Sequence, residues 1–387
     1  MPPNNNTFYQ YLGIHSLLIG IFPFYIPVYL WNQQFGLDDI SLFISLGGLG
    51  FCIGLWVWDR LRLKVSLSSI IAISLLLEIG LLFNVYVLKM DQPTLVALGI
   101  TYGIYNSFFW TTQRALFFDL IDVESSGRKY GNFQIFVGVL LQIGILIGGF
   151  LLDQTNFIYL LVVSSIIVVA GFFITTHKRP FYPPTLMKHK SLGIRDIVGF
   201  RDTDNSRFVF VVDGFFLFAE SFFWVVSLFL LAHESFAKLG VIVLSLAVMF
   251  GIVFYLLKNT IDRLGRNRVY RMSVGLYALS WALRAITHDE MALEILYIFL
   301  ISITFCTSFF RLAMNKRFYD LAKLTISHDY LILKSYYSQI SIVIVFGAIA
   351  FALAVMEATE AMLTPMYWAS AVVALSYFVY GSRRYAS

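Results

Sequence analysis

The sequence is poor in charge. Charged residues make up 13% of the 387 positions, whereas a soluble domain has about a quarter. Hydrophobic residues make up 59%, and apolar runs of about 20 residues, the length that crosses a bilayer as a helix, recur along the chain. The alternating pattern of a membrane β-barrel is missing. The composition therefore excludes a soluble protein and predicts an all-α membrane protein.

Cysteine and metal-ligand patterns are scarce as well. Cys52 and Cys306 both fall inside apolar runs, so we expect no structural disulfide. The six histidines show no metal-ligand spacing, and no GxxxxGK[ST] phosphate-binding loop is present. The patterns of intramembrane hydrolases, such as HExxH, are missing too. We therefore expect no cofactor, no metal, no ATP hydrolysis and no enzymatic activity.

Two short stretches of the sequence are repeated later in the chain at nearly the same spacing. The stretch Ser107–Leu120, SFFWTTQRALFFDL, returns 201 positions later as SFFRLAMNKRFYDL, with six identities. The pair Asp59-Arg60 returns 203 positions later as Asp262-Arg263. Two independent echoes at one spacing indicate a chain built from two similar halves of roughly 200 residues.

Twelve apolar runs, six in each half, are long enough for transmembrane helices. The predicted spans are 8–31, 38–57, 66–88, 94–118, 131–152, 156–176, 207–231, 237–257, 269–287, 292–315, 330–355 and 363–381. They divide the chain into an N-terminal half (1–176), a linker (177–206) and a C-terminal half (207–387). The linker is basic and rich in proline, and we expect a short surface helix around 193–200 on anionic lipid headgroups.

The basic residues predict the orientation. With these spans, 23 of the 28 lysines and arginines fall on one side, in loops or at the adjoining span ends, and only Lys89 and Lys238 fall on the other. This count assigns Lys316, and Lys334 near the start of span 11, to the loop between spans 10 and 11. Because basic loops stay in the cytoplasm, we expect a bacterial inner (plasma) membrane protein with both termini and the linker cytoplasmic.

Twelve spans in two halves, a basic linker and a DR-containing turn after the second span of each half resemble the major facilitator superfamily. The family motif Gly-x-x-x-Asp-Arg-x-Gly-Arg-Lys/Arg is partly kept after span 2 and better kept after span 8. The resemblance implies two six-helix halves related by a pseudo-twofold axis, and a contact at these turns that closes the cytoplasmic side. The implied gating residues are Asp59, Arg60, Asp262, Arg263, Gly265 and Arg266.

Ionisable residues inside a bilayer each cost about 2.5–3.5 kcal/mol, so each indicates a function or a buried partner. The candidates are Glu78, Arg114, Asp213, Glu220, Arg284 and Arg311. The resemblance implies that spans 1, 4, 7 and 10 line a central cavity. The four candidates on these spans therefore rank first: Arg114, Asp213, Glu220 and Arg311. We expect Glu78 to bond to a neighbour and Arg284 to reach the outer membrane surface.

Asp213 and Glu220 lie two helical turns apart on one face, about 10 Å along the axis. Glu220 lies near the bilayer centre and is the predicted proton-coupling carboxylate, with Asp213 in reserve. Arg311, helped by Arg114, is the predicted anion-binding group. The further predicted substrate-binding residues are Trp110, Ser107, Ser308, His15, Trp224 and Tyr337.

These features predict a secondary active transporter that moves a small organic, anionic or amphipathic solute by alternating access, with protons as the coupling ion. Efflux of neutral or cationic drugs and metabolites stays open, as does a receptor or a lipid-handling protein on the same fold. The expected partners are a small-molecule substrate, protons and membrane lipids, without nucleic acid. We expect a monomer.

Overall fold

The computed structural model describes residues 5–87, 91–120, 126–154, 157–176, 190–202, 204–257, 266–324, 327–356 and 359–381. All regular structure in these ranges is helical. The helices fall into twelve long segments at the positions of the predicted spans, and segment numbers follow the span numbers.

Segments 1 to 6 are Asn5–Ile21 with Pro23–Tyr25 and Ile26–Asn32, then Leu37–Leu61, Leu67–Val87, Gln92–Leu120, Ser126–Gln154 and Phe157–Thr176. The linker contains a short helix, Ile194–Gly199. Segments 7 to 12 are Ser206–Phe218 with Ala219–Phe223 and Trp224–Leu231, then Phe236–Leu257, Arg266–Ile286, Leu293–Leu324, Ser327–Met356, and Glu360–Met362 with Leu363–Ala374 and Leu375–Val379.

Ten of the twelve segments are long and apolar enough to cross a membrane. Segments 4 and 9 fall short because they carry more polar side chains. Segment 4 contains the run Thr111–Arg114, and segment 9 begins with several arginines. Both are nevertheless helices of 29 and 21 residues, and a helix of 20 residues extends for about 30 Å.

Two segments change their helical geometry in the middle. Segment 1 passes through a 3-10 turn at Pro23–Tyr25, because a proline inside a helix removes a backbone donor and clashes with the preceding turn. Segment 7 contains a π-helical turn at Ala219–Phe223, and this turn carries Glu220. Such turns insert an extra residue into a helix and frequently lie at functional sites.

The packing of the segments repeats at an interval of six. Segment 2 packs on 4, 3 on 6 and 1 on 5, and the corresponding pairs 8 with 10, 9 with 12 and 7 with 11 also pack. Between the two sets, segment 2 packs on 11 and segment 5 packs on 8. This pattern is the one that a duplicated six-helix unit produces. The division of the chain at residues 176 and 207 stays a prediction.

Glycines allow the closest of these contacts. A Cβ atom at Gly144 or Gly148 of segment 5 would overlap the carbonyl oxygens of Leu17 and Ile21 in segment 1. Small residues let neighbouring backbones approach in this way inside membranes. Gly138, toward the other end of segment 5, has open space around it and makes no such contact.

The linker helix joins both halves at one end of the molecule. The Asp59 carboxylate of segment 2 accepts a hydrogen bond from the backbone N–H of Leu192 at 2.9 Å. Tyr337 of segment 11 donates to the carbonyl oxygen of Ile197 at 2.5 Å. The short helix expected in the linker is confirmed. We call this the basic end of the molecule and the opposite one, which holds Asp153 and Glu234, the acidic end.

Candidate functional site

A cavity lies between the two halves. Its larger chamber has a volume of about 450 Å³, and an adjoining chamber nearer the basic end has about 220 Å³. Both chambers are lined by Trp110 and Arg114 of segment 4 and by Leu217 and Glu220 of segment 7. Segments 1, 4, 7 and 10 all contribute, as the family resemblance implied, and segments 2, 5 and 11 contribute as well.

Arg311 is the centre of an ion-pair cluster in this cavity. Its guanidinium donates to Asp213 Oδ1 at 2.9 Å and to Glu220 Oε2 at 2.9 and 3.1 Å. Asp213 also pairs with the Lys334 ammonium at 2.9 Å. The two carboxylates, which lie on one face of segment 7, are therefore held by the cations of segments 10 and 11.

Tyrosine hydroxyls complete the hydrogen bonding of the two carboxylates. Tyr377 of segment 12 donates to Asp213 Oδ1 at 2.9 Å, and Tyr277 of segment 9 donates to Glu220 Oε1 at 2.5 Å. Asp213 is 1% exposed, whereas the side chain of Glu220 is 18% exposed. Both carboxylates line the smaller chamber, but Glu220 is the more exposed of the two and also lines the larger chamber.

Arg114 differs from the other cations of the cavity. Its Nη1 atom donates to the Ser335 hydroxyl at 2.8 Å, and no described carboxylate pairs with it. Three cations, Arg114, Arg311 and Lys334, thus face two carboxylates. The described cluster has a net charge of +1, and burial makes an uncompensated charge costly. An anion bound beside Arg114 would neutralise it.

The rest of the larger chamber is aromatic and apolar. Trp110 is held by a hydrogen bond from its indole nitrogen to Asn106 at 2.9 Å. The other aromatic lining residues are Phe24, Phe51, Tyr102, Phe218 and Phe222. The cavity is therefore positive near Arg114 and apolar away from it, which suits a molecule with one anionic and one apolar part.

Lys334 was not expected in the cavity. The loop count from the sequence placed it outside the membrane, but segment 11 begins at Ser327, so Lys334 lies two turns inside the helix. The polar run that follows it, SYYSQ, resembles the end of a helix, so the sequence did not show that Lys334 lies inside one. The one available signal was Asp213, a carboxylate that needs a counterion beyond Arg311. Lys316, counted with it, pairs with Asp320 within segment 10 at 3.2 Å.

Ser107 and Ser308 do not line the cavity. Both are buried, and each hydroxyl donates to a carbonyl of its own helix, that of Ile104 and that of Thr304 respectively. Ser107 lies against Gly54 of segment 2. These serines share a repeat position, and at Ser107 that position faces a neighbouring helix of the same half.

His15 also lies away from the cavity. It is fully buried in the N-terminal half, where its Nδ1 atom is 3.2 Å from Glu78 Oε2 and its Nε2 atom is 2.9 Å from the Ser74 hydroxyl. Tyr105 donates to Glu78 Oε1 at 3.0 Å. Glu78 is thus bonded to neighbours, as the sequence predicted.

Trp224 lines a different cavity, beside Arg284 at the acidic end. The prediction that Arg284 reaches the membrane surface is wrong. Its side chain is buried among aromatic rings and donates to the hydroxyls of Ser280 and Thr307. Tyr337 lies at the basic end against the linker helix and not in the cavity.

The gating residues are described only in part. Asp59 pairs with Arg62 at 2.7 Å and accepts from the linker, so its carboxylate does not cap a helix of the other half. The Arg60 guanidinium lies 3.9 Å from the centre of the Trp56 ring. Asp262, Arg263 and Gly265 lie outside the described residues, and Arg266 is the first residue of segment 9.

A helix cap between the halves is present at the acidic end instead. Asp153, at the end of segment 5, accepts hydrogen bonds from the Ser235 hydroxyl at 2.9 Å and from the backbone N–H groups of Phe236 and Ala237 at 3.1 and 2.8 Å. These groups form the N-terminus of segment 8. A carboxylate is favourable there because the helix dipole is positive at that end.

Comparison with known proteins identifies the fold and the family. The pattern of the Major Facilitator Superfamily matches residues 11–323. The chain belongs to this superfamily. A search of curated protein sequences finds no match.

Solved structures of transporters resemble the whole chain. A point mutant of the nucleoside transporter NupG aligns with a TM-score of 0.73 at 11% identity, over 96% of this chain and 98% of NupG. A bacterial homologue of the iron transporter ferroportin, in an outward-facing state, aligns with a TM-score of 0.66 at 12% identity, over 98% of each chain. The human organic anion transporter MFSD10 (TETRAN) aligns with a TM-score of 0.62 at 13% identity, over 96% of this chain and 98% of MFSD10. At such identities the likeness concerns the fold.

Proposed function

We propose that this superfamily member is a secondary active transporter of an amphipathic organic anion. The observation that carries this proposal is Arg114, a cation of the central cavity that no described carboxylate neutralises. A carboxylate or phosphate group of a substrate would supply the missing charge. A guanidinium binds such groups by charge-assisted hydrogen bonds.

The shape and the lining of the cavity define the substrate class further. The larger chamber, of about 450 Å³, has aromatic walls formed by both halves, with Trp110 and Tyr102 on one side and Phe218 and Phe222 on the other. An apolar or aromatic body of a metabolite would pack against these rings while its anionic group bonds to Arg114. A small inorganic anion would leave most of this surface without contacts.

Transport would proceed by rocking of the two halves around the bound substrate. The repeated packing of the segments and the position of the cavity between the halves support this mechanism, which is general for transporters built from repeats. The basic end would face the cytoplasm of a bacterial cell, with the linker and both termini on that side.

Glu220 would couple the substrate to a proton gradient. Its carboxylate is held by Arg311 and Tyr277. A substrate anion that enters beside Arg114 would compete for Arg311, and Glu220 would then take up a proton to avoid a buried, unpaired charge. The proton and the substrate would bind together without touching each other.

Counterflow in proteoliposomes tests the substrate class. The probes are pairs of aromatic carboxylates and their neutral amides, which match in shape and differ in charge. We expect exchange of a carboxylate and not of its amide. Arg114→Gln should lower the affinity for the carboxylate about 10- to 100-fold, since a hydrogen bond to a charged group contributes about 1.5–3 kcal/mol.

Arg128→Gln is the matched control, because Arg128 is an exposed arginine of the same half that lies outside the cavity. Carboxylate affinity in this variant should equal that of the wild type. Exchange of the amides or of organic cations, with Arg114→Gln active, would instead favour a drug or metabolite exporter. Binding without exchange would favour a receptor or a lipid-handling protein.

A further inference from the structure

A second cavity lies inside the C-terminal half, at the acidic end. It has a volume of about 430 Å³ and is lined by residues of segments 7, 9 and 12 and the loop after segment 9. It shares no described lining residue with the two chambers of the central cavity. Substrate in the central cavity therefore does not account for it.

The inner wall of this cavity carries Arg284. The residue is only 3% exposed, and its Nη atoms donate to the hydroxyls of Ser280 and Thr307 at 2.9 and 3.0 Å. No described residue accepts a hydrogen bond from its Nε atom, and no carboxylate pairs with it within the described part of the chain. The guanidinium is thus a buried cation without an ion pair among the described residues, and Glu220 of the central cluster attracts it only from beyond ion-pair distance.

Aromatic rings fix the guanidinium in place. It lies 4.4 Å from the centre of the Trp281 ring and 5.1 Å from that of Trp224. The Tyr367 ring packs on both tryptophans, and its hydroxyl is bonded to the Ser227 hydroxyl at 2.7 Å. Trp224 and Tyr367 line the cavity, so a ligand that bonds to Arg284 also meets two aromatic faces.

The exposed lining residues have the opposite charge. Glu234, Asp289 and Glu360 contribute carboxylates, and His288 lies among them. The leucines of the wall, Leu230, Leu231 and Leu363, are apolar. One cavity therefore offers a buried cation, an apolar and aromatic wall, and an exposed group of carboxylates.

We propose that this cavity binds a zwitterion with an apolar side chain, of the α-amino-acid class. The ligand carboxylate bonds to Arg284, its ammonium group meets the exposed carboxylates, and its side chain packs on Trp224 and Tyr367. A simple anion satisfies Arg284 but lies near unpaired carboxylates. A simple cation meets the carboxylates but has the guanidinium opposite it. Only a molecule with both charges matches both groups.

The test is equilibrium binding of three labelled probes to the full-length purified protein. The probes and the variants below are compared in the Arg114→Gln background, because the central cavity is proposed to bind aromatic carboxylates through Arg114. L-Phenylalanine carries both charges, 3-phenylpropionate carries only the carboxylate, and phenethylamine carries only the ammonium group. We expect phenylalanine to bind at least about tenfold more tightly than either of the others, since each lost charge-assisted hydrogen bond weakens binding by about that factor. Equal binding of phenylpropionate and phenylalanine would overturn the assignment of a zwitterion.

Two variants locate the binding. Arg284→Gln should weaken phenylalanine binding at least about tenfold. Glu360→Gln, at an exposed position, should weaken phenylalanine binding and strengthen phenylpropionate binding. Opposite signs for two probes cannot arise from misfolding. Unchanged phenylalanine binding in Arg284→Gln, or the same sign for both probes in Glu360→Gln, would overturn the proposal.

Arg268→Gln is the control, because Arg268 is an exposed arginine of the same segment and does not line the cavity. Binding should be unchanged in it. It should also be unchanged in Arg114→Gln, which alters only the central cavity. Loss of phenylalanine binding in Arg114→Gln would place the amino acid in the central cavity and overturn the second site. The counterflow test of the proposed transport does not depend on this result.

Discussion

The two halves pack alike and carry different charges. In the N-terminal half, Glu78 is buried with His15 and Tyr105, and Arg114 is the charged residue that this half contributes to the described lining of the central cavity. The C-terminal half contributes a four-residue ion-pair cluster, formed by Asp213, Glu220, Arg311 and Lys334. To the described lining of this cavity, one half of a duplicated fold thus gives a single charge and the other half gives four.

The sequence echo shows where the halves diverged. The repeat keeps phenylalanine at 109 and 310 and at 117 and 318, and all four side chains are buried. It differs at Trp110, which corresponds to Arg311, and at Arg114, which corresponds to Asn315. These four residues line the cavity. Phe318 also lines the smaller chamber. The buried phenylalanines were thus kept, while Trp110, Arg114 and their counterparts acquired different chemistry in each half.

The largest effect is expected from Arg311→Gln. This change leaves Asp213 with Lys334 and leaves Glu220 without an ion-pair partner. Removal of one member of a buried ion pair costs about 3–5 kcal/mol, because the other charge stays buried. We expect a strong loss of thermal stability, measured by unfolding in detergent, and loss of counterflow.

The double variant Arg311→Gln/Glu220→Gln is the matched control, since it removes the unpaired carboxylate together with its partner. Its stability should recover toward that of the wild type, because both charges are gone. If Arg311→Gln alone is as stable as the wild type and still exchanges substrate, the cluster does not organise the C-terminal half.

The next effect concerns coupling. Glu220→Gln should abolish accumulation of substrate driven by a pH gradient, because the amide cannot take up the coupled proton. Exchange of labelled for unlabelled substrate should continue, since exchange needs no net proton movement. Both are measured in the same proteoliposomes. Asp213→Asn is the comparison. If Glu220→Gln still accumulates substrate and Asp213→Asn does not, the coupling role belongs to Asp213.

A smaller effect is expected at the acidic end. Asp153→Asn weakens the cap on segment 8, which is one of the contacts between the halves at that end. Caps and dipole interactions contribute about 1 kcal/mol, so the balance between the two open states should shift about fivefold toward the state open at the acidic end. Cysteine accessibility of cavity residues from each side measures the shift.

Asp59→Asn is the comparison for the acidic-end variant, because Asp59 bonds to the linker at the other end. It should shift accessibility in the opposite direction or leave it unchanged. A shift in the same direction for both variants would mean that the two carboxylates stabilise the same conformation. That result would contradict the view that Asp153 and Asp59 act at opposite ends of the molecule.

The fold and part of the site could be predicted from the sequence. Apolar runs and repeat spacing indicate the helices, and the cost of a buried charge indicates Asp213, Glu220, Arg114 and Arg311. Lys334 was missed because a charge near a helix end reads as a loop residue. The cap by Asp153 could not be predicted, because it depends on which segments pack across the halves. The π-helical turn in segment 7 could not be predicted either, because a span that is apolar on nearly all sides shows no periodicity in which an extra residue would be visible.

The burial of Arg284 was missed for a related reason. Its position near the end of segment 9 favours a side chain that reaches the surface. Its actual surroundings, the rings of Trp281 and Trp224, come from two different segments. Distance along one helix indicates the depth of a residue, but the neighbouring helices determine whether the side chain leaves the protein.

The smallest effect on transport is expected from Glu78→Gln in the N-terminal half. The amide oxygen can accept the hydrogen bond of Tyr105, and the amide nitrogen can donate to Nδ1 of a neutral His15, so the buried contacts survive without a charge. Accumulation and exchange should both stay within about twofold of the wild type, since a conserved hydrogen bond changes little. Glu220→Gln, the same chemical change in the other half, is the matched comparison. If Glu78→Gln abolishes accumulation driven by a proton gradient, the N-terminal half carries the coupling carboxylate and the division of roles between the halves is wrong.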